Sequence, residues 1–127
     1  GTLFVVDFEG EPARPLAERR RKHSPLRDVA GMLRSFAYAA AFAARDAGGS
    51  APDGAADAWE RAARGAFLDA YFAPGAARYL PRTRAGADAL VALFETEKLF
   101  YELRYELNNR PDWVDIPLRG LARGRAG

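Results

Sequence analysis

The spacing of apolar positions changes along the chain, and each change predicts an element. Leu3, Phe4, Val5 and Val6 form an unbroken apolar run, which suits a strand covered on both faces. It ends in Asp7-Phe8-Glu9-Gly10-Glu11-Pro12. On a strand Asp7 and Glu9 project to one side and Phe8 to the other, while Gly10 lets the backbone turn. Pro12 and Pro15 predict a fixed loop, and the dense charges Glu18, Arg19, Arg20, Arg21 and Lys22 predict a solvated loop or a short helix.

From Ser24-Pro25 the period becomes that of a helix. Ser24 can cap, Pro25 suits the first helical position, and Asp28 adds an anion to the first turn. Leu26, Val29, Ala30, Leu33, Phe36, Ala37, Ala40 and Ala44 make one apolar face until Gly48-Gly49. A Gly- and Pro-containing surface loop reaches Gly54. The next helix is predicted from about 55 to 73, with Trp59, Ala62, Ala63, Ala66, Phe67, Ala70 and Tyr71 on its buried side. Pro74-Gly75 stops it, and a short helical turn is expected over 76–80. The longest helix is predicted from about 84 to 108. There Leu99, Leu103 and Leu107 recur every four residues and are expected to face the core. Tyr101 and Tyr105 lie roughly 160° away from them, at about 100° per residue. Glu97, one turn before Tyr101, can join the tyrosine face. Pro111 and Pro117 predict an extended segment over 112–117, followed by at most a short terminal helix over 118–123.

The whole reads as one mainly α domain with a short N-terminal β element. The 127 residues allow a sizeable core, and 49% hydrophobic content argues for folding rather than disorder. There are no cysteines, which excludes disulfides and thiolate-held metals. Although the pI is near 9.2, the arginines are interspersed with Asp and Glu. This is the pattern of solvated helix faces, so no nucleic-acid partner is expected. No apolar run approaches the roughly 20 residues of a membrane helix. No signal peptide is visible either, so no membrane association and a cytoplasmic location are expected.

Three groups of residues can carry chemistry. Asp7 and Glu9 make an oxygen-rich corner suited to a hard cation such as Mg²⁺, or simply a solvated turn. Tyr101 and Tyr105 offer flat rings for the C–H faces of a sugar and hydroxyls for its hydrogen bonds, or they belong to a helix packed on both sides. Arg110 and Trp113 can complete such a site by hydrogen bonding and stacking, or they can anchor the C-terminal loop. His23 is given no role.

Two blocks carry a family resemblance. The first is Asp7-Phe8-Glu9-Gly10-Glu11-Pro12 with Pro15-Leu16-Ala17-Glu18-Arg19-Arg20 and Ser24-Pro25-Leu26-Arg27-Asp28-Val29-Ala30-Gly31-Met32-Leu33-Arg34-Ser35-Phe36. The second is Glu97-Lys98-Leu99-Phe100-Tyr101-Glu102-Leu103-Arg104-Tyr105-Glu106, then Arg110-Pro111-Asp112-Trp113 and Ile116-Pro117-Leu118. Together they resemble the bacterial maltokinases, which are often fused to trehalose synthase and belong to the aminoglycoside-phosphotransferase-like kinases of protein-kinase fold. The resemblance implies a C-lobe fragment, with residues 1–23 carrying the metal-site strand and 24–127 the helical part. It implies ATP-dependent phosphorylation of maltose to maltose 1-phosphate, with Mg²⁺. It places Asp7 as the metal ligand at the position of the kinase Asp-Phe-Gly aspartate, with Glu9 beside it. It gives Asp28 a supporting role near the catalytic loop, and it points Tyr101, Tyr105, Arg110 and Trp113 at the maltose pocket.

One departure matters. The family's loop of type His-Gly-Asp-x-His-x-Gly-Gln, which supplies the base, and its nucleotide-gripping lobe have no counterpart in this sequence. The chain is therefore expected to be the C-terminal piece of a longer enzyme and inactive by itself. Another sugar or aminoglycoside kinase of the same fold, and a non-enzymatic helical interaction domain, remain open as alternatives.

Overall fold

The computed structural model describes residues 2, 15–48, 52, 54–73 and 79–124. Residues 3–14, with the expected strand, Asp7 and Glu9, lie outside them, as does most of the turn expected over 76–80. The described residues form helices without a strand: α1 (Leu16–Arg19), α2 (Leu26–Asp46), α3 (Ala55–Tyr71), α4 (Arg84–Asn109), a 3₁₀ turn (Pro111–Trp113) and α5 (Asp115–Gly124).

The starts and stops have local causes. The Ser24 hydroxyl accepts the Leu26 N–H at 3.3 Å, satisfying one orphan donor at the start of α2. Gly48 and Gly54 bound the loop between α2 and α3 with φ of +54° and +74°, a backbone region that glycine enters without a Cβ clash. Thr83 caps α4 by accepting the Gly86 N–H at 3.1 Å. The extended segment expected over 112–117 is instead a 3₁₀ turn running into α5. Pro111 opens the turn and Pro117 sits in the first turn of α5, where neither needs to donate an intrahelical hydrogen bond.

Helix α2 is the centre. Its Leu26, Val29 and Leu33 pack with Ala87 and Val91 of α4, and Phe67, Leu68, Tyr71 and Phe72 close the cluster from the α3 side. Each fully buried aliphatic side chain contributes about 1.5–3 kcal/mol. The expected α2 face is buried as read, apart from half-buried Phe36 and exposed Ala44. Helices α2 and α4 run in parallel. Polar contacts step down both together, from Arg27–Glu97 through Arg34–Glu102 to Tyr38–Glu106, and Arg45 of α2 then meets Asp115 at the start of α5. Helix α5 returns against α4 and α2, burying Ile116 and Pro117.

Two expected faces need correction. In α3, Trp59 is 49% exposed and Ala62, Ala66 and Ala70 are exposed. The packed side is Glu60, Arg64, Phe67, Leu68 and Tyr71, centred roughly 145° around the helix from Ala62, Ala66 and Ala70, so of the expected face Phe67 and Tyr71 do reach the core. The large rings and paired charges decide the rotation, because an alanine methyl gains little by burial. In α4, Leu99 is buried but Leu103 is half-buried and Leu107 is 59% exposed. A four-residue step advances about 40° beyond a full turn, so Leu107 has drifted about 80° from Leu99. The seven-residue step falls only about 20° short, so Glu106, 1% exposed, continues the core face.

Candidate functional site

The C-terminal half of α4 and the turn after it gather most of the residues expected to form a ligand site. Tyr101 and Tyr105, one helical turn apart, stack with ring centroids 6.5 Å apart and planes inclined by 18°. Both are exposed. They lie on the side of α4 away from Leu99, Glu102 and Glu106, which are held against α2 and α5.

Arg110 leaves the end of α4 with φ −144° and ψ 70°, and its side chain folds back along the last turn. Its Nε donates to Glu106 Oε2 at 2.9 Å and its Nη2 to Glu106 Oε1 at 2.7 Å. This planar fork is the strongest form of guanidinium–carboxylate bond. The Glu106 bond is the main cause of the further rise in the Arg110 pKa, so the group is a permanent cation. Its Cζ lies 5.5 Å from the Tyr105 ring centre and 5.2 Å from that of Trp113. Glu106 takes two of the guanidinium's five donors, and the Nη1 edge points away from that carboxylate.

Trp113 is half-buried and enclosed. It stacks with Tyr38 and Phe42 of α2, each at 6.3 Å, and the Arg45 guanidinium sits 4.5 Å above the ring. Arg45 also donates to the Asp112 carbonyl and the Asp115 carboxylate. These contacts are those of an anchor for the turn. Trp113 reaches the tyrosine face only through Arg110.

The remaining expected positions lie elsewhere. Asp28 is exposed in the first turn of α2 and faces α3, where its charge adds to burial in raising the Tyr71 hydroxyl pKa. Glu97, one turn before Tyr101, is tied to Arg27 of α2. Asp7 and Glu9, the expected metal ligands, lie outside the described residues. Among the described residues no three His, Asp or Glu side chains are grouped to hold a metal. No described helix is long and apolar enough to cross a membrane.

Two residues of this site went unremarked in the sequence. Glu106 is buried and also accepts the Tyr38 hydroxyl at 2.7 Å. Burial and that bond raise the Tyr38 pKa well above its ordinary value, so the phenol stays a proton donor. The signal was present: Glu106 lies seven residues after the core position Leu99 and four before Arg110. No protein-family model matches the chain.

Proposed function

We propose that this chain is the helical C-terminal part of the C-lobe of a maltokinase of the aminoglycoside-phosphotransferase-like group. In that reading the complete enzyme transfers the γ-phosphate of ATP to the anomeric hydroxyl of maltose in the cytoplasm, with trehalose synthase fused or associated. The observation that carries the proposal is the open, stacked Tyr101–Tyr105 face beside a guanidinium fixed in place. Flat rings suit the C–H faces of a sugar, and the free edge of Arg110 suits its hydroxyl oxygens. Phosphoryl transfer is mostly positioning and charge neutralisation, so holding the acceptor still is a substantial contribution. Asp7 and Glu9 would hold Mg²⁺, which would neutralise phosphate charge, and Asp28 would brace the neighbouring loop. The kinase lobe also accounts for the exposed Met32, Phe42 and Phe100, which further protein would cover.

One feature favours the reading as a helical interaction domain. Leu93, Phe100 and Leu107, at seven-residue spacing on α4, are each about 60% exposed and form a stripe that a partner helix would cover. Activity separates the readings. The complete polypeptide carrying this chain, supplied with ATP and Mg²⁺, should phosphorylate maltose, and Asp7→Asn should lower turnover by orders of magnitude while leaving the fold intact. Faster transfer to another sugar or to an aminoglycoside would reassign the acceptor. No transfer to any of them would leave the interaction domain.

A further inference from the structure

Among the described residues Glu106 is the only carboxylate bound to Arg110, and it is too deeply buried, at 1% exposure, to touch a ligand of the tyrosine face itself. Both of its oxygens are engaged. Oε1 accepts from Tyr38 at 2.7 Å and from Arg110 Nη2 at 2.7 Å, and Oε2 accepts from Arg110 Nε at 2.9 Å. Tyr38 is in turn pinned between the Arg34 guanidinium, 5.9 Å from its ring centre, and the stacked Trp113 ring. The carboxylate therefore has one orientation. Arg110, by contrast, is 47% exposed, and an arginine stem with nothing to hold it would spread over many rotamers.

We infer that Glu106, held by Tyr38, is a positioning residue for the acceptor sugar: it fixes the Arg110 guanidinium beside Tyr105 with the Nη1 edge turned to the open face. This inference rests on the sugar-face reading above. Its physical basis is preorganisation. A donor whose direction is set before the ligand arrives loses little freedom on binding, whereas a mobile donor loses that freedom when the ligand binds. The chain of contacts runs from α2 through Tyr38 and Glu106 to Arg110, so α2 sets the geometry of a site it does not line.

The test uses maltose and ATP kinetics of the complete polypeptide. Glu106→Gln keeps the size but turns one acceptor into an amide donor, which must face a donor on Arg110 or Tyr38. It should raise the maltose KM about tenfold with the ATP KM unchanged, and Tyr38→Phe should do the same in smaller measure. In an Arg110→Ala background neither change should weaken maltose further, because the group they position is gone; a merely structural role would give additive effects. If Glu106→Gln leaves the maltose KM unaltered while Arg110→Ala raises it, or if the effects add, the positioning role is wrong. If Arg110→Ala itself leaves maltose unaffected, the sugar face fails and the inference falls with it. Should Glu106→Gln not fold, Tyr38→Phe alone carries the same cycle.

Discussion

Gly120 lies where α5 crosses α4, and replacing it by alanine tests that seating. A methyl carbon there would lie 2.4 Å from Leu99 Cδ2, 3.4 Å from Leu99 Cδ1 and 3.1 Å from Arg34 Nη1. The first distance is far inside van der Waals contact, so Leu99 must leave its rotamer or α5 must lift. Leu99 is buried and Arg34 is held by Glu102, so neither yields freely. Overpacking of this kind costs about 1–3 kcal/mol. Alanine's helix preference returns up to about 1 kcal/mol, leaving a net loss on the order of 1 kcal/mol. A loss of that size should lower Tm by about 3–6 °C. Gly65, inside α3, supplies the control, because nothing lies within 4 Å of its would-be Cβ. Gly65→Ala should stabilise by about 0.5–1 kcal/mol. Thermal and urea unfolding should thus give changes of opposite sign, and the Gly120→Ala loss should shrink in a Leu99→Ala background. Stabilisation by both alanines would refute the close approach of α5 to Leu99.

Other expectations concern the buried polar groups. Arg123→Ala leaves Glu60, 5% exposed, without the guanidinium that donates to it at 2.9 Å. Stability should fall by about 1–3 kcal/mol and recover largely in Arg123→Ala/Glu60→Leu; urea denaturation of both variants checks this. Burial, reinforced by the Glu106 bond, raises the Tyr38 hydroxyl above its ordinary pKa of 10.0. The protonated phenol is the form the fold prefers. Its stabilisation is complete below about pH 10 and is lost above it, as the unfolded chain gives up the proton first. The stability difference between the native chain and Tyr38→Phe should hold steady up to that pH and then shrink; a difference that grew would contradict the assigned bond.

How much of this was legible depends on what each residue signals. Leu26, Val29 and Leu33 keep a clean helical period, and α2 buries them as read. The expected bounds of α4, about 84 to 108, hold to within a residue, and the opposition of the tyrosines to Leu99 followed from angle alone. Hydrophobicity misled where small or polar residues settle the packing. Ala62, Ala66 and Ala70 look like a buried stripe, yet α3 turns Glu60, Arg64, Phe67 and Tyr71 inward. Leu107 looks like core, yet Glu106 takes that place because Tyr38 and Arg110 satisfy its oxygens. A buried carboxylate is stable only with such partners; Arg110 lies four residues on, but Tyr38 is 68 residues away and leaves no periodic trace. The two prolines after α4 signalled extended chain, although each also fits the first turn of a helix. For the candidate site, the sequence pointed to the tyrosines, left Arg110 between ligand binding and anchoring the C-terminal loop, and left Trp113 between the same two roles. Its enclosure by Tyr38, Phe42 and Arg45 is visible only in three dimensions.

The central proposal is that the exposed tyrosine pair of α4 receives the acceptor sugar. Its most direct test is the split between maltose KM and ATP KM for Tyr101→Ala and Tyr105→Ala in the complete polypeptide. The account predicts that each raises the maltose KM by about tenfold and leaves the ATP KM within error of the unsubstituted polypeptide. Equal effects on both substrates, or none on maltose, would contradict it.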